Sequence, residues 1–420
     1  MDKFQIKGSK KIQGSLKVEG SKNAALPIVF ATLLIKKGET TLTNVPPLRD
    51  IFTAIKVLEY LGAKVSYDEE AHTMTVDATF IHQNTAPYEL MRQMRASFLV
   101  LGPILVRMGE AQISLPGGCV LGSRPVDFII GGFQKLGATI SEKKGYVIAE
   151  AKKLIGGKIY FDRPSHTGTE NILYGAVTAK GKTEIFNAAC DPEIIDVAEF
   201  LNKAGAKIKG AGTPHIIVEP VKELKAVEYA VQGDRLVAGT FMMAAAITGG
   251  NVKLSGFNPE HLSMVNHKLI EMGCEIKFQK NGLTLTAPKK TKPINMTTFP
   301  YPGFPTDLQA CLMAVTTLSS GTSYIRETVF SDRFSHTMEM RRLGADINIS
   351  SDEAIINGVK SLEGAAVMSS DIRAGAGIIL TCLAAKGISE INRIYHVDRG
   401  YYKIEEKLSA LGADIKRVKS

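Results

Sequence analysis

The chain has 420 residues, of which 45% are hydrophobic and 22% are charged, and its formal net charge is +9. This length exceeds one ordinary core and predicts two domains of about 200 residues each. The basic residues are scattered and tryptophan is absent, which argues against a base-stacking nucleic-acid platform and favours small anionic ligands.

Targeting and cysteine patterns exclude several further classes of protein. We find no run of about 18 apolar residues, which predicts no membrane span, and the N-terminus lacks the apolar core of a signal peptide. The five cysteines lie far apart and form no CxxC pair, which predicts neither a metal site nor a disulfide framework. We therefore expect a cytoplasmic protein with no nucleic-acid partner and no membrane partner.

The predicted elements begin with two N-terminal strand patterns, FQIKG and GSLKVEG. Apolar or amphipathic helical patterns follow along the chain, and several precede a short phrase that recurs about every 70 residues. In this phrase a glycine predicts a helix C-cap, and alternating residues after it predict a half-buried strand. The main predicted helices are 24–34, 51–61, 96–108, 126–136, 169–179, 235–248, 308–318 and 373–385. The phrases are LGAKVSYDE, LGATISEKK, AGAKIKGAG, MGCEIKFQK, LGADINISS and LGADIKRVK.

Six repeated units predict an α/β fold with three units in each of two domains. The sixth phrase ends the chain without a second strand, so we expect residues 1 to about 21 to pair with that C-terminal unit. One domain is then continuous, 22–233, and the other is split, 1–21 plus 234–420. A cleft between domains is the expected place for a catalytic site.

The most distinctive loop is LPGGCVLGSRPVDF, from Leu115 to Phe128. Its glycines and prolines exclude regular structure, and small residues flank Cys119. Arg124 is close enough in sequence to favour a thiolate and to attract anions. The loop therefore indicates a mobile acid or nucleophile, although a structural glycine loop with an incidental cysteine is an equal alternative.

Other candidate residues lie at predicted helix starts. Lys22 and Asn23 precede an apolar helix, a position that suits a phosphate, and Arg95 leads another. Asp307 could be a general base on a hydroxyl, but on the residues alone an N-cap is favoured for Thr306 or Asp307. Four Asp-Arg patterns could place arginines around an anion, or could each be a local salt bridge. These patterns end at Arg235, Arg333, Arg373 and Arg399.

Taken together, these segments resemble the enolpyruvyl transferases over essentially the whole chain. The PGGC loop is similar to the branch of that family that uses UDP-N-acetylglucosamine, whereas the sister branch with a shikimate-type acceptor lacks it. The resemblance implies a two-domain inside-out α/β barrel with three βαβαββ units per domain. It rests on SKNAALPI, MRASFLVLGP, LPGGCVLGSRPVDF, YPGFPTDLQA and IYHVDRGYYKIEEKLSALGA.

The resemblance implies transfer of the enolpyruvyl group of phosphoenolpyruvate to the 3-hydroxyl of UDP-N-acetylglucosamine, with release of phosphate. The alternatives are a shikimate-type acceptor, or a non-catalytic basic binding protein. The implied pathway is peptidoglycan precursor synthesis, and hence cell-wall biogenesis, cell shape and division. No metal or organic cofactor is implied, and a phosphonate epoxide analogue of phosphoenolpyruvate is expected to alkylate Cys119.

The resemblance also assigns residue roles. Cys119 is expected to protonate the methylene carbon of phosphoenolpyruvate, and Asp307 is expected to take the proton of the sugar hydroxyl. Lys22 and Arg399 are the other two expected catalytic residues. The expected phosphoenolpyruvate contacts are Lys22, Asn23, Arg124, Arg333, Arg373 and Arg399. The expected UDP-sugar contacts are Asn23, Arg95, Arg124, Pro125, Val126, Asp127, Phe128, Arg163, Pro164, Ser165, His166, Asp307 and Val329.

Three places depart from the family pattern. Arg49 stands where many relatives have lysine, and Asp191 stands where glutamate is usual. PSHTGT, at residues 164–169, replaces the commoner PSVGAT, and this puts backbone contacts to the nucleotide diphosphate in doubt.

Overall fold

A computed structural model describes residues 2–92, 95–114 and 126–419, without the side chains of residues 95–97. The strands are β1 Asp2–Lys7, β2 Gln13–Lys17, β3 Glu39–Thr43, β4 Lys64–Asp68, β5 Thr73–Asp77, β6 Thr85–Ala86, β7 Glu110–Ser114, β8 Thr139–Lys143, β9 Tyr146–Glu150, β10 Lys158–Tyr160, β11 Thr183–Phe186, β12 Lys207–Lys209, β13 His215–Glu219, β14 Glu228–Ala230, β15 Asn251–Ser255, β16 Glu275–Gln279, β17 Gly282–Thr286, β18 Asn295–Thr297, β19 Thr322–Arg326, β20 Asp346–Ser350, β21 Glu353–Asn357, β22 Ala366–Met368, β23 Ile388–Asn392 and β24 Asp414–Lys419.

The α-helices are α1 Lys22–Ala31, α2 Arg49–Leu61, α3 Tyr88–Met91, α4 Leu101–Met108, α5 Asp127–Lys135, α6 His166–Ala176, α7 Pro192–Lys203, α8 Arg235–Thr248, α9 Ser263–Glu271, α10 Gln309–Thr316, α11 Thr337–Arg342, α12 Ile372–Ala384 and α13 Ile404–Ala410. Short 3-10 helices span Thr32–Leu34, Arg95–Val100, Pro259–Leu262, Thr306–Leu308 and Ile394–Arg399. In the described part of the chain, no helix combines the length and the apolar character needed to cross a membrane.

The described chain forms two compact units. The continuous unit comprises residues 20–92, 95–114 and 126–232, and the split unit comprises residues 2–19 and 233–419. The chain therefore changes unit between Glu19 and Gly20 and again between Gln232 and Gly233, beside the two crossings that the repeats predict.

Each unit contains three four-stranded sheets of one pattern. An edge strand pairs in parallel with its neighbour, and the remaining strands pair antiparallel, as in β18-β19-β21-β20. The chain order around that sheet is β18, α10, β19, α11, β20 and β21, which is the predicted βαβαββ unit. The glycine of each recurring phrase has a positive φ, as a residue that ends a helix requires. These glycines are Gly62, Gly137, Gly205, Gly273, Gly344 and Gly412, with φ between 86° and 109°.

The N-terminal strands contribute to two different sheets. β1 pairs antiparallel with β23 and β24, as predicted for the C-terminal unit. The same prediction for the second strand is wrong, because β2 pairs in parallel with β15. The reason is that β14, which directly precedes α8, pairs with β3 in the continuous unit. The α8 repeat therefore takes its parallel edge strand from β2.

The core of each unit is built from helices that are buried on nearly all sides. In the split unit these are α8, α10 and α12, and their composition is apolar around the whole circumference, which is typical of a fully buried helix. Small residues allow close packing, since a Cβ on Gly377 would lie 2.7 Å from the backbone oxygen of Ala310. In the continuous unit α1, α4 and α6 are buried, and Tyr174 of α6 donates to the Pro27 backbone oxygen of α1 at 2.9 Å.

Candidate functional site

The split unit holds a compact cluster of one carboxylate and two arginines. Arg333 donates from Nη2 to Oδ1 of Asp307 at 2.9 Å, and Arg373 donates from Nε to Oδ2 at 3.1 Å. Both arginines are 5% exposed, whereas the Asp307 side chain is 23% exposed. Two guanidinium groups beside one carboxylate leave an excess of positive charge at this partly open position, which suits an anionic ligand.

Arg373 is held by a second set of contacts below the carboxylate. Its Nη1 donates to the Tyr401 hydroxyl at 3.2 Å, and that hydroxyl lies 2.9 Å from Oγ1 of Thr240. Burial alone would lower the pKa of Arg373, but Asp307 and Tyr401 raise that pKa above its ordinary value. Arg373 is therefore a permanent cation whose planar group is held by Asp307 and Tyr401, with Thr240 supporting the Tyr401 hydroxyl.

The preference for Asp307 as a helix cap, drawn from the residues alone, is wrong. The 3-10 helix Thr306–Leu308 has Pro305 at its N-cap and no side-chain cap bond. The carboxylate instead accepts from arginines that lie 26 and 66 residues further along the chain. Sequence spacing carries no signal for partners that distant.

The acids of two Asp-Arg patterns act as helix caps. Asp234 accepts from the backbone N–H groups of Leu236 and Val237, and Asp371 accepts from those of Arg373 and Ala374. Each acid precedes an apolar helix, which is the signal that could have identified the cap. Each cap fixes the backbone of the first turn, in which Arg235 is the first residue of α8 and Arg373 is the second residue of α12.

Two further predicted contacts belong to the split unit. Arg399 ends the 3-10 helix Ile394–Arg399 and is partly exposed, while its neighbour Asp398 pairs with Arg417 at 2.6 Å. Asp398 therefore has a partner 19 residues further along the chain. Val329 is partly exposed and donates its backbone N–H to Glu327 at 2.8 Å.

In the continuous unit, Lys22 opens α1 and is only 8% exposed. Its Nζ donates to Oδ2 of Asp50 at 3.3 Å, and Ser21 caps the helix by accepting from the Ala24 N–H at 3.4 Å. A lysine beside a predicted helix start could also be an ordinary surface residue, and the burial of Lys22 excludes that alternative. Asn23, beside it, is partly exposed.

A second group of predicted residues surrounds the start of α6 in the same unit. The Phe128 ring meets the Phe161 ring edge-on at 5.8 Å, and the Arg163 guanidinium lies 5.6 Å from the Phe128 ring centre. Ser165 caps α6 by accepting from the Gly168 N–H at 3.1 Å. The predicted residues 126–128 and 163–166 thus come together in one region. Asp127, Arg163 and Pro164 are exposed, and Val126 is partly exposed.

Beneath this region, acids gather around one histidine. His166 Nδ1 lies 3.0 Å from Oε1 of Glu170, whose side chain is 1% exposed. Burial would lower the pKa of His166, but Glu170, Asp191 and Glu193 raise it to about 10. His166, Asp191 and Glu193 also bring one ligand atom each within 4.8 Å of one another, a spacing that could hold a metal ion. The sequence did not predict this group, although His166 and Asp191 are two of the family departures.

Several predicted residues lie outside the described chain. These are Cys119, Arg124 and Pro125, and the side chain of Arg95 is also not described. The backbone of Arg95 begins the 3-10 helix Arg95–Val100, at the start of a predicted helix.

Comparison with known proteins gives close full-length relatives. A family model described as EPSP synthase (3-phosphoshikimate 1-carboxyvinyltransferase) matches residues 6–408. A protein named UDP-N-acetylglucosamine 1-carboxyvinyltransferase 1 from Caldanaerobacter subterraneus subsp. tengcongensis is 51% identical over 415 residues, 99% of each chain. A UDP-N-acetylglucosamine 1-carboxyvinyltransferase from Geobacter metallireducens is 50% identical over 419 residues, 100% of each chain.

Solved structures give the same fold at much lower identity. The enolpyruvyl transferase NikO from Streptomyces tendae superimposes with a TM-score of 0.90 at 21% identity, covering 100% of this chain and 99% of that one. EPSP synthase from Acinetobacter baumannii superimposes with a TM-score of 0.78 at 20% identity, with 100% of both chains covered. The inside-out α/β fold predicted from the repeats and the resemblance is confirmed.

Proposed function

Since the chain belongs to the EPSP synthase family of carboxyvinyltransferases, we propose that it transfers the enolpyruvyl group of phosphoenolpyruvate to the 3-hydroxyl of UDP-N-acetylglucosamine and releases phosphate. The observation that carries the acceptor is the identity of about 50% to full-length relatives named for that acceptor. The buried Asp307–Arg333–Arg373 cluster supports the anionic donor. Because these relatives match the chain over the full length of both proteins, a shikimate-type acceptor is the weaker candidate.

Phosphoenolpyruvate carries a phosphate and a carboxylate, so its site needs several fixed cations. Arg333 and Arg373 offer planar groups that match such oxygens in pairs, and both are buried enough to bind without much loss of freedom. We assign the donor contacts to these two arginines and to four further residues that the resemblance identified. The four are Lys22, Asn23, Arg124 and Arg399.

Asp307 is proposed as the base that accepts the proton of the sugar 3-hydroxyl. Two arginines beside a carboxylate stabilise its charged form and make it a weak base. An anionic donor that binds Arg333 and Arg373 would neutralise part of that charge, and the carboxylate would then become more basic. Donor binding would therefore prepare the base before the hydroxyl is activated.

Cys119 is proposed as the acid of the addition step. Its thiol proton is transferred to the methylene carbon of phosphoenolpyruvate, while the sugar oxygen bonds to the adjacent carbon and gives a tetrahedral phosphoketal. In the elimination step the Cys119 thiolate takes a proton from the new methyl group, the C–O bond to phosphate breaks so that phosphate leaves with its electrons, and the double bond is restored as an enol ether. Lys22 and Arg399 are the proposed cations that stabilise the departing phosphate.

The UDP-sugar is proposed to bind around the starts of α5 and α6. Ser165 already caps α6, and the N–H groups of the first turn of a helix suit a diphosphate. The Arg163–Phe128 contact adds a cation and a ring face. The proposed contacts are Asn23, Arg95, Arg124, Pro125, Val126, Asp127, Phe128, Arg163, Pro164, Ser165, His166, Asp307 and Val329.

The proposed reaction belongs to peptidoglycan precursor synthesis, which supports cell-wall biogenesis, cell shape and division. Its substrates are cytoplasmic metabolites, so we propose that compartment for the protein. The chemistry requires an acid, a base and fixed cations, all of which side chains can supply.

The test is phosphate release from phosphoenolpyruvate with UDP-N-acetylglucosamine, with shikimate 3-phosphate, and with no acceptor. We expect release with the UDP-sugar only, together with a product heavier than the sugar by one enolpyruvyl group. Release with shikimate 3-phosphate instead would establish the sister activity. No release with either acceptor, combined with salt-sensitive polyanion binding, would favour the non-catalytic alternative.

The Cys119 assignment has a separate test. The full-length wild-type protein is treated with a phosphonate epoxide analogue of phosphoenolpyruvate, and the adduct is located by peptide mass. We expect one adduct on Cys119 and none in Cys119→Ser, whose turnover should be strongly impaired. Cys274→Ser is the matched control, because Cys274 is 4% exposed and burial raises its thiol pKa to about 12. Unchanged labelling of Cys119→Ser would remove this assignment.

A further inference from the structure

Glu327 follows β19 directly and is a buried carboxylate, with 2% of its surface exposed. Its Oε1 accepts from Oγ1 of Thr298 at 2.8 Å and from the backbone N–H groups of Val329 and Phe330 at 2.8 and 3.0 Å. Its Oε2 accepts from Oγ1 of Thr306 at 2.9 Å. Four donors therefore converge on one side chain that has no place in the proposed chemistry.

The bond between Thr306 and Glu327 has a fixed direction. A threonine hydroxyl has one proton, and a carboxylate can only accept, so the Thr306 proton points to Glu327. The Thr306 oxygen is then left to accept, and Nη1 of Arg333 donates to it at 2.8 Å. The other terminal nitrogen of the same guanidinium, Nη2, donates to Asp307. Glu327 thus determines the orientation of Arg333 through Thr306.

The second oxygen of Glu327 holds the segment that follows it. The N–H groups of Val329 and Phe330 both point at Oε1, and the Phe330 ring centre lies 5.3 Å from the Arg333 guanidinium carbon. Thr298 supports the same turn, because its hydroxyl oxygen accepts from the Thr328 N–H at 2.9 Å. One carboxylate therefore fixes both a guanidinium group and a neighbouring backbone turn.

We propose that Glu327 is a positioning residue: it orients the Arg333 guanidinium through Thr306 and holds the Val329–Phe330 backbone, so that the donor and the UDP-sugar are bound in reacting geometry. This inference rests on the proposed function. Glu327 does not touch the reacting atoms, and its effect reaches them through Arg333 and Val329. A misplacement of about 1 Å in such a support can cost about 100-fold in rate.

Two variants break the hydrogen-bonded connection from Glu327 through Thr306 to Arg333, each at a different residue. Glu327→Gln keeps the shape of the side chain but replaces one carboxylate oxygen with an NH₂ group. In one orientation that NH₂ group faces the Thr306 hydroxyl, and in the other it faces the backbone N–H groups of Val329 and Phe330. Thr306→Val keeps the volume, removes the relay to Arg333 and leaves the backbone turn in place. Thr306→Ser keeps the relay hydroxyl and is the conservative rescue.

The control is Thr316→Val in α10. Thr316 is 0% exposed, and its hydroxyl donates only locally, to the Met313 backbone oxygen at 2.8 Å. Thr306 is partly exposed, so the same substitution at the more deeply buried Thr316 gives an upper bound on the general cost of losing a threonine hydroxyl. We expect its kinetic constants to match the wild type within about twofold, as for an independent site.

The measurement is steady-state phosphate release with each substrate varied in turn, together with thermal unfolding of every variant. We expect kcat/KM for phosphoenolpyruvate to fall about 10-fold in Thr306→Val and about 100-fold in Glu327→Gln. The KM for the UDP-sugar should rise only in Glu327→Gln, because only that variant disturbs the turn at Val329. The double variant should lose about 100-fold rather than about 1,000-fold, since both changes act through one relay.

The outcomes separate the two proposals. A wild-type protein that releases no phosphate overturns the proposed function itself. An active wild type whose Thr306→Val and Glu327→Gln forms fall no further than Thr316→Val overturns the positioning role. Multiplicative losses in the double variant would also overturn it, because they would show two independent effects.

Discussion

Two charged clusters, one in each unit, are built in opposite ways. In the split unit a single carboxylate, Asp307, lies between the buried arginines Arg333 and Arg373. In the continuous unit one histidine, His166, is surrounded by acids. The first cluster has more cations than acids, and the second has more acids than cations.

The difference indicates that the first cluster favours an incoming anion, whereas the charges of the second cluster are paired with one another. An excess of fixed guanidinium groups at a partly open position gains from an incoming anion. The acids around His166 instead keep the imidazole protonated and form an internal ion pair at the base of α6. The first arrangement predicts large effects on turnover, and the second predicts mainly effects on stability.

The largest expected effect is that of Asp307→Ala. Loss of the proposed general base should lower kcat by about 1,000-fold, whereas phosphoenolpyruvate should still bind both arginines. Phosphate release and direct donor binding by calorimetry measure the two parts separately. Near-normal turnover would return Asp307 to a purely structural role. Loss of donor binding with intact folding would mean that the arginines depend on the carboxylate for their position.

Arg373→Lys should have the next largest effect. Lysine keeps the charge but cannot contact both Asp307 and the Tyr401 hydroxyl as the planar group does. We expect kcat/KM for phosphoenolpyruvate to fall about 100-fold, with a smaller change in the KM of the UDP-sugar. Arg341→Lys is the matched control, since that arginine lies on α11 and donates to the Ile347 backbone oxygen at 2.7 Å. An equal fall in kcat/KM in both variants would contradict a special role for the Asp307–Arg333–Arg373 cluster.

The smallest effect on kcat is expected for His166→Val, because His166 is proposed only as a UDP-sugar contact and not as an acid or base of the reaction. This variant tests the second cluster through stability. The folded-state pKa of His166, about 10, lies above its ordinary value of 6.5. The stabilisation is therefore complete below pH 6.5 and is lost as the pH rises towards 10. The difference in unfolding free energy between wild type and variant should shrink over that range in chemical denaturation.

His215→Gln is the control for that measurement. Its ring nitrogen Nε2 lies 3.1 Å from Glu184, but the side chain is 42% exposed, so that water screens the pair. We expect the difference in unfolding free energy between wild type and this variant to shrink much less between pH 6.5 and 10. If the unfolding free energy of the wild type exceeds that of His166→Val by the same amount at pH 6.5 and at pH 10, the cluster does not hold a protonated imidazole.

Local patterns predicted most of the fold because the fold is repetitive. The glycine of each phrase and the apolar helices depend on a few neighbouring residues, and the helix predicted at 235–248 begins and ends where α8 does. The partner of β2 could not be predicted in this way. A parallel edge strand has no local turn to fix its neighbour, so its place depends on which sheet lacks an edge strand.

The candidate site was less predictable, because its contacts join distant residues. The apolar helix after Asp371 could have indicated the cap, but nothing in the sequence shows that Arg373 contacts Asp307, 66 residues away. The group around His166 likewise joins α6 to acids at the start of α7. The Glu327 relay gave no signal, since Glu327, Thr306 and Arg333 are ordinary residues until the fold brings them together.

The strands donated by residues 2–17 have a consequence for biosynthesis. β1 finds its partners β23 and β24 only after almost the whole chain has emerged from the ribosome. At about 5–20 residues per second, that interval is roughly 20 to 80 s. The sheet β22-β23-β1-β24 therefore closes last, whereas every described strand of the continuous unit is already available once Ala230 has been translated.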